Sequence, residues 1–413
     1  MRRARTSIGV VLVTIFLLQA APLAQTAAKP SPASATVPFT LDQGRIVVKV
    51  ELRLPDGTNE RVHAWIDNGN SDLFMNRRAA QLMGVSLRCD GAFCVGTPKS
   101  REAALHILIG AMKISSPMKE IRVPASIQAV APGMSAEIVI PSTALQNYDV
   151  LIDFPDRKFT IGVPGSLKFN GVKSKMIVDA DGLIRIPSRV ENKNYDLGLD
   201  LGASANFLSE DLFDQLANAH SDWPHMTGAI GPFNTGLIDE PKWKLVRLER
   251  MQFGPLFLSH VVVAQLPPSA ASRPAVRTEA RASSTRDGSL SAEALLNYRV
   301  GLDYAHATVY FDIGRTVRFP DFDVVGLMLR PEDDNGFSIL GVADSQGKSS
   351  VPGVQPGDRL LSIDETPVAD FTLGQTWSLL QGAPGKERRL TVSREDKQFT
   401  VVARVQHFLG DAP

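Results

Sequence analysis

Apolar and polar positions alternate on both sides of a turn in "RIVVKVELRLPDGTNERVHAWID", broken at Pro55-Asp56-Gly57. That period of two predicts a β-hairpin whose second strand ends on Asp67. The stretch "GLIRIPSRVENKNYDLGLD" has the same form, turns at Glu191-Asn192-Lys193-Asn194 and ends on Asp200. Each acid is followed by a phenylalanine, Phe74 or Phe207, and then by a helix-like stretch, "NRRAAQLMGV" or "SEDLFDQLANA". Glycine-broken strand pairs come next, "HILIGAMKISSPMKEIRV" and "VRLERMQFGPLFLSHVVV". Each run then closes on nearly the same words, "NYDVLIDFPDRKFTIG" and "NYRVGLDYAHATVYFDIG". Shared landmarks in one order are the signature of an internal repeat. The expectation is two homologous β-rich lobes, residues 39–164 and 175–319.

The second copy is longer by "PPSAASRPAVRTEARASSTRDGS", residues 267–289, which has no periodicity and is rich in Ala, Ser, Pro and Arg. Such composition predicts a mobile surface insertion, with a lid or processing site as the functional alternative. From residue 321 short strands alternate with Gly/Pro turns around one helical stripe at 372–380, which predicts a third compact unit over 321–406. At the other end, a basic start, an apolar run and small residues match the regions of a secretory signal over 1–28, with a flexible leader at 29–38. Export to the periplasm or the medium is expected, or an N-terminal membrane anchor if the signal stays uncleaved.

Charge narrows the function classes. The chain of 413 residues carries 44 basic and 44 acidic side chains with a pI near 7.1, so no summed field favours nucleic acid. The two cysteines, Cys89 and Cys94 in "RCDGAFC", favour a small disulfide-closed loop in an exported chain, with free thiols as the alternative. The seven histidines are scattered without ligand spacing, and neither a metal nor another cofactor is expected.

The candidate chemistry lies in "WIDNGNS" and "GLDLGAS", where an apolar strand breaks at once after an acid. Glycine two positions on permits a tight turn with its N–H aimed at the carboxylate. Two such turns brought together would hold paired carboxyls that cannot both ionise easily, one acting as acid and the other as base on a shared water. Ordinary turn-capping acids are the bland alternative.

Each lobe resembles a retropepsin-type or pepsin-type aspartic protease domain, whose signature is apolar-Asp-Thr-Gly-Ala/Ser-Ser/Thr. The resemblance implies a mainly β, bilobal unit of two β-barrel lobes related by a pseudo-two-fold axis, with Asp67 and Asp200 as the catalytic pair. Asn68, Gly69, Asn70, Leu201, Gly202 and Ala203 would support that pair. The family's threonine, which hydrogen-bonds across the lobe interface, is replaced by Asn68 and Leu201, and leucine offers no side-chain donor. "IVIP" (138–141) and "GSLS" (288–291) stand where the family has an apolar-apolar-Gly segment, without the glycine. The flaps would lie in "VGTPKSREAA" and "IGPFNTGLID". The implied function is an endopeptidase acting on a peptide or protein substrate. The alternative is a catalytically degenerate peptide-binding protein, since fold does not fix function.

"GVQPGDRLLSIDETPV" is similar to the Gly-x-x-Pro-Gly-Asp segment of bacterial PDZ domains. That resemblance makes the third unit PDZ-like, with Gly326, Leu327, Met328 and Leu329 as contacts for the C-terminal peptide of a partner added as a strand. The whole chain is expected to act as a monomer.

Overall fold

The computed structural model describes residues 32–90, 93–98, 104–118, 120–124, 129–131, 133–229, 240–266, 287–314, 322–345 and 348–410. The proposed signal segment and both flap tips, 99–103 and 230–239, lie outside the described residues, as does most of the 267–289 insertion. The last residues of that insertion do not fit the expectation of a mobile loop, because Gly288 and Ser289 open a buried strand.

The chain is mainly β. Strand β1 (Ser34–Asp42) turns through Gln43 and Gly44 into β2 (Arg45–Arg53). Both turn residues have positive φ, 52° and 80°, which matches the right-handed twist of the flanking strands. Residues 34–38, expected in the flexible leader, are therefore strand, paired with the closing strand of the first half. Their Ala, Ser and Pro composition hides them, since it is backbone pairing that holds them.

β2 pairs with β3 (Asn59–Asp67) in the register Ile46 to Ile66 and Arg53 to Asn59. Helix α1 (Arg77–Leu82) follows, and the Asn76 side chain accepts from the N–H of Ala79 (2.7 Å), as an N-cap should. Strand β4 (Ile138–Pro141) returns to lie parallel to β3, with Pro141 beside Asp67. The half closes with β5 (Asp149–Asp153) and β6 (Lys158–Gly162).

After β7 (Val172–Lys175) the plan recurs. The hairpin β8 (Ile184–Val190) and β9 (Lys193–Asp200) ends on the second acid. Helix α2 (Glu210–Ala219) is capped by Ser209, and the hairpin β10 (Trp243–Phe253) and β11 (Leu256–Gln265) follows. Strand β12 (Gly288–Ser291) lies parallel to β9, with Ser291 beside Asp200. β13 (Tyr298–Asp303) and β14 (Thr308–Ile313) close the half.

The closing strands join the halves. β5 pairs antiparallel with β13, so Asp149 faces Asp303 and Asp153 faces Arg299. Those residues occupy corresponding places in the two closing motifs, so the pairing reads the same from either side. One sheet of eleven strands runs β4-β3-β2-β1-β6-β5-β13-β14-β7, with a hairpin (Ala104–Ile109, Met112–Pro117) branching from β2. Ile46, Ile66, Ile138 and Val150 of the first half share one apolar core with Leu199, Leu290 and Val300 of the second.

The last unit holds the sheet β15 (Leu327–Pro331), β16 (Phe337–Val342), β17 (Arg359–Ile363), β18 (Glu387–Arg394) and β19 (Lys397–Arg404). Helix α3 (Leu373–Leu380) begins with a capping box in which Thr372 and Gln375 bond each other's backbone. This unit is less self-contained than its sequence suggests. Phe322, Leu327, Phe337 and Trp377 belong to the same core as Phe207, Trp243 and Leu245 of the second half. Leu409, beyond the expected boundary at 406, is buried in that core too.

Candidate active site

Both acids stand at the end of the second strand of a hairpin, where a strand must break to let a side chain reach its counterpart. β3 and β9 are each braced by a parallel neighbour, β4 and β12, so the two carboxyls start from equivalent frames. In each turn the glycine N–H folds back to its own acid: Gly69 donates to Asp67 Oδ1 and Gly202 to Asp200 Oδ1, both at 3.1 Å. Ala203 adds a second N–H to Asp200 Oδ1 at 2.9 Å.

The two turns meet face to face. A Cβ placed on Gly69 would fall 2.1 Å from Asp200 Cγ, and one on Gly202 would fall 2.4 Å from Asp67 Oδ1. Each glycine therefore exists where it does because the opposite carboxyl occupies the space a side chain would need. Asn68 ties the turns together. Its Oδ1 accepts the N–H of Leu201 and its Nδ2 donates to the carbonyl of Leu199, both at 2.7 Å. Leu201 thus contributes through its backbone N–H and not through its side chain. The cross-turn bonds survive because one asparagine supplies both a donor and an acceptor, and it takes its partners from backbone.

Asn70 works within its own loop: its side chain closes on the backbone of Asp72, and its carbonyl accepts both the N–H and the hydroxyl of Ser142. In the second half the Asn206 side chain accepts from the N–H (2.8 Å) and hydroxyl (3.1 Å) of Ser291. Sequence reasoning passed over Ser142, Ser291 and Asn206. The missing family glycine drew attention to the strands "IVIP" and "GSLS", yet what these strands contribute is a serine at or just beyond their ends.

Burial sets the electrostatics. Asp67 is 3% exposed and Asp200 8%. Loss of water pushes the Asp200 carboxyl up to about 6, against the N–H groups of Ala203 and Gly202 and the positive charge of Arg45, which pull it down. Arg45, 1% exposed, was also missed. Its guanidinium lies 5.0 Å over the Trp65 ring, and the Trp65 indole N–H donates to the Gly202 carbonyl at 3.2 Å. An arginine beginning the run "RIVVKV" is the one signal that could have exposed it, since a fully buried arginine is rare without a partner to serve.

The other predicted residues lie elsewhere. Cys89 and Cys94 are joined to each other across a hairpin. Gly326, Leu327, Met328 and Leu329 are all buried. The Leu327 N–H is bonded to the Val325 carbonyl at 2.7 Å, and a Cβ on Gly326 would meet Ser350 Oγ at 2.5 Å. Leu327, Met328 and Leu329 share a core with Trp243 and Phe337.

No family model matches the chain, and no curated protein matches it. Among solved structures it is similar to an aspartic proteinase from Irpex lacteus, at 13% identity and a TM-score of 0.40, over 68% of this chain and 98% of that one.

Proposed function

We propose that the chain is an exported aspartic endopeptidase of the retropepsin or pepsin type, with Asp67 and Asp200 as its catalytic pair. The observation that carries the proposal is the reciprocal seating of each carboxyl against the other turn's glycine, with Asn68 bridging the two. Paired buried carboxyls share a proton, because ionising both in one dry site is costly. The ionised one takes a proton from a water held between them as the water oxygen attacks the peptide carbonyl. The protonated one gives its proton to the carbonyl oxygen, and the resulting diol collapses with proton transfer to the leaving amine.

Bilobal organisation, with residues 39–164 and 175–319 as lobes, is part of this proposal. The repeated hairpins, capped helices and parallel strands beside each acid support it. Capture of a C-terminal peptide by Gly326, Leu327, Met328 and Leu329 would require these buried residues to open a surface.

Cleavage of a mixed peptide library from acid to neutral pH tests the proposal, with Asp67→Asn and Asp200→Asn as controls. Turnover by the parent chain that both substitutions abolish is the expected result. Turnover surviving either substitution removes the mechanism, and silence of the parent chain at every pH favours a peptide-binding protein instead.

A further inference from the structure

The turn between β1 and β2 touches the surroundings of the acid pair on one side and the C-terminal unit on the other. Asp42, 7% exposed, accepts the N–H of Gly374 (2.9 Å) and the hydroxyl of Thr372 (3.0 Å) at the start of α3. A Cβ on Gly374 would fall 2.2 Å from Asp42 Oδ1, so the carboxyl is seated directly on the helix. Two residues later, a Cβ on Gly44 would fall 3.2 Å from the Ser204 carbonyl, so the turn also rests on the second acid loop. Arg45 then lies over Trp65, whose indole holds Gly202, the residue that bonds Asp200.

We infer that Arg45 is a positioning residue of the paired-acid site, acting on Asp200 through its buried positive charge, and that the C-terminal unit keeps it in place through Asp42. The inference deepens the peptidase proposal and rests on it for any consequence in turnover. A guanidinium stays protonated at every relevant pH, and in a site shielded from water its field is felt far more strongly than at a surface. The groups facing Asp200 are Asp67 across the interface, Arg45 from β2, and the N–H groups of Gly202 and Ala203. Those facing Asp42 are Arg45, Thr372 and the backbone of Gly374 and Ser135. Arg45 is thus the positive charge that favours the ionised form of Asp200, while burial opposes that form.

The test is a titration of the Asp200 carboxyl by carbon NMR in the full chain labelled at aspartate, with Asp200→Asn used to assign the signal. It needs no turnover, so failure of the peptidase proposal leaves it readable. Arg45→Met is expected to raise the Asp200 midpoint by about one unit, while Arg45→Lys, which keeps the charge, leaves it nearly unmoved. Gly374→Ala sets a methyl against both the Asp42 carboxyl and the backbone N–H of Gln43, and by displacing that turn is expected to shift the Asp200 midpoint upward by a smaller amount. If the chain hydrolyses peptides, the high-pH limb of its rate profile moves upward with each shift.

An unmoved midpoint in Arg45→Met overturns the role of Arg45. An unmoved midpoint in Gly374→Ala overturns the link to the C-terminal unit. Should Arg45→Met fail to fold, Gly374→Ala, which leaves Arg45 in the chain, decides alone, and an unmoved midpoint there ends the inference.

Discussion

At the scale of single residues, the site depends on groups whose energetics pull against folding. The folded-state value of Asp200 is raised above its ordinary one by burial, so between roughly pH 4 and 6 the folded chain binds more protons than the unfolded chain. Stability is then full below that window and is lost as pH rises through it. Asp200→Asn cannot ionise, so at neutral pH it should be more stable than the parent by up to about 3 kcal/mol and show a higher thermal midpoint. The same substitution should cut hydrolysis by about 10³-fold or more, measured on any peptide the parent cleaves. Parent activity should fall as pH rises through about 6, because the proton donor is lost there. Asn68→Ala should cost about 2–4 kcal/mol in denaturant unfolding, since it leaves the Leu201 N–H and the Leu199 carbonyl buried without their partner. The two aspartates were legible in the sequence because the same acid-turn-glycine grammar occurs twice after an apolar strand. Asn68 is legible as a supporting residue, but not how it serves, because its counterpart is leucine. The bonds across the two turns use the backbone of Leu199 and Leu201, which no side-chain pattern reveals.

At the scale of elements, hairpins and capped helices were readable because they rest on local physics. Alternation fixed β2, β3, β8 and β9, and Asn76 and Ser209 mark the starts of α1 and α2. Asn76→Ala should lower stability by about 1 kcal/mol without altering β3, as thermal unfolding and the amide spectrum of its strand would show. Residues 34–38 were not readable, because their pairing partner in β6 lies more than a hundred residues away in sequence. Parallel pairing of β4 with β3 and of β12 with β9 was equally hidden, although both strands had been picked out for other reasons. Long-range pairing is set by topology, and a local pattern carries little of it.

At the scale of the whole molecule, the boundary drawn at residue 321 is a change of sequence pattern and not a break in packing. Trp243 and Leu245 share their core with Phe322, Phe337 and Leu409, so the second half leaves an apolar face uncovered without the last unit. A chain ending before Phe322 should therefore aggregate or unfold at lower temperature than the full chain, and the full chain should melt without releasing its C-terminal unit first. Calorimetry with near-ultraviolet dichroism of the tryptophans would check both. Proteins emerge from the ribosome N-terminus first. With Asp42 resting on α3 and Trp243 roofed by residues that come after it, the aspartates are translated long before their surroundings are whole. A nascent chain in that condition has both acids but not yet the scaffold that aims them at each other, so any chemistry of the pair waits on completion of the C-terminal unit.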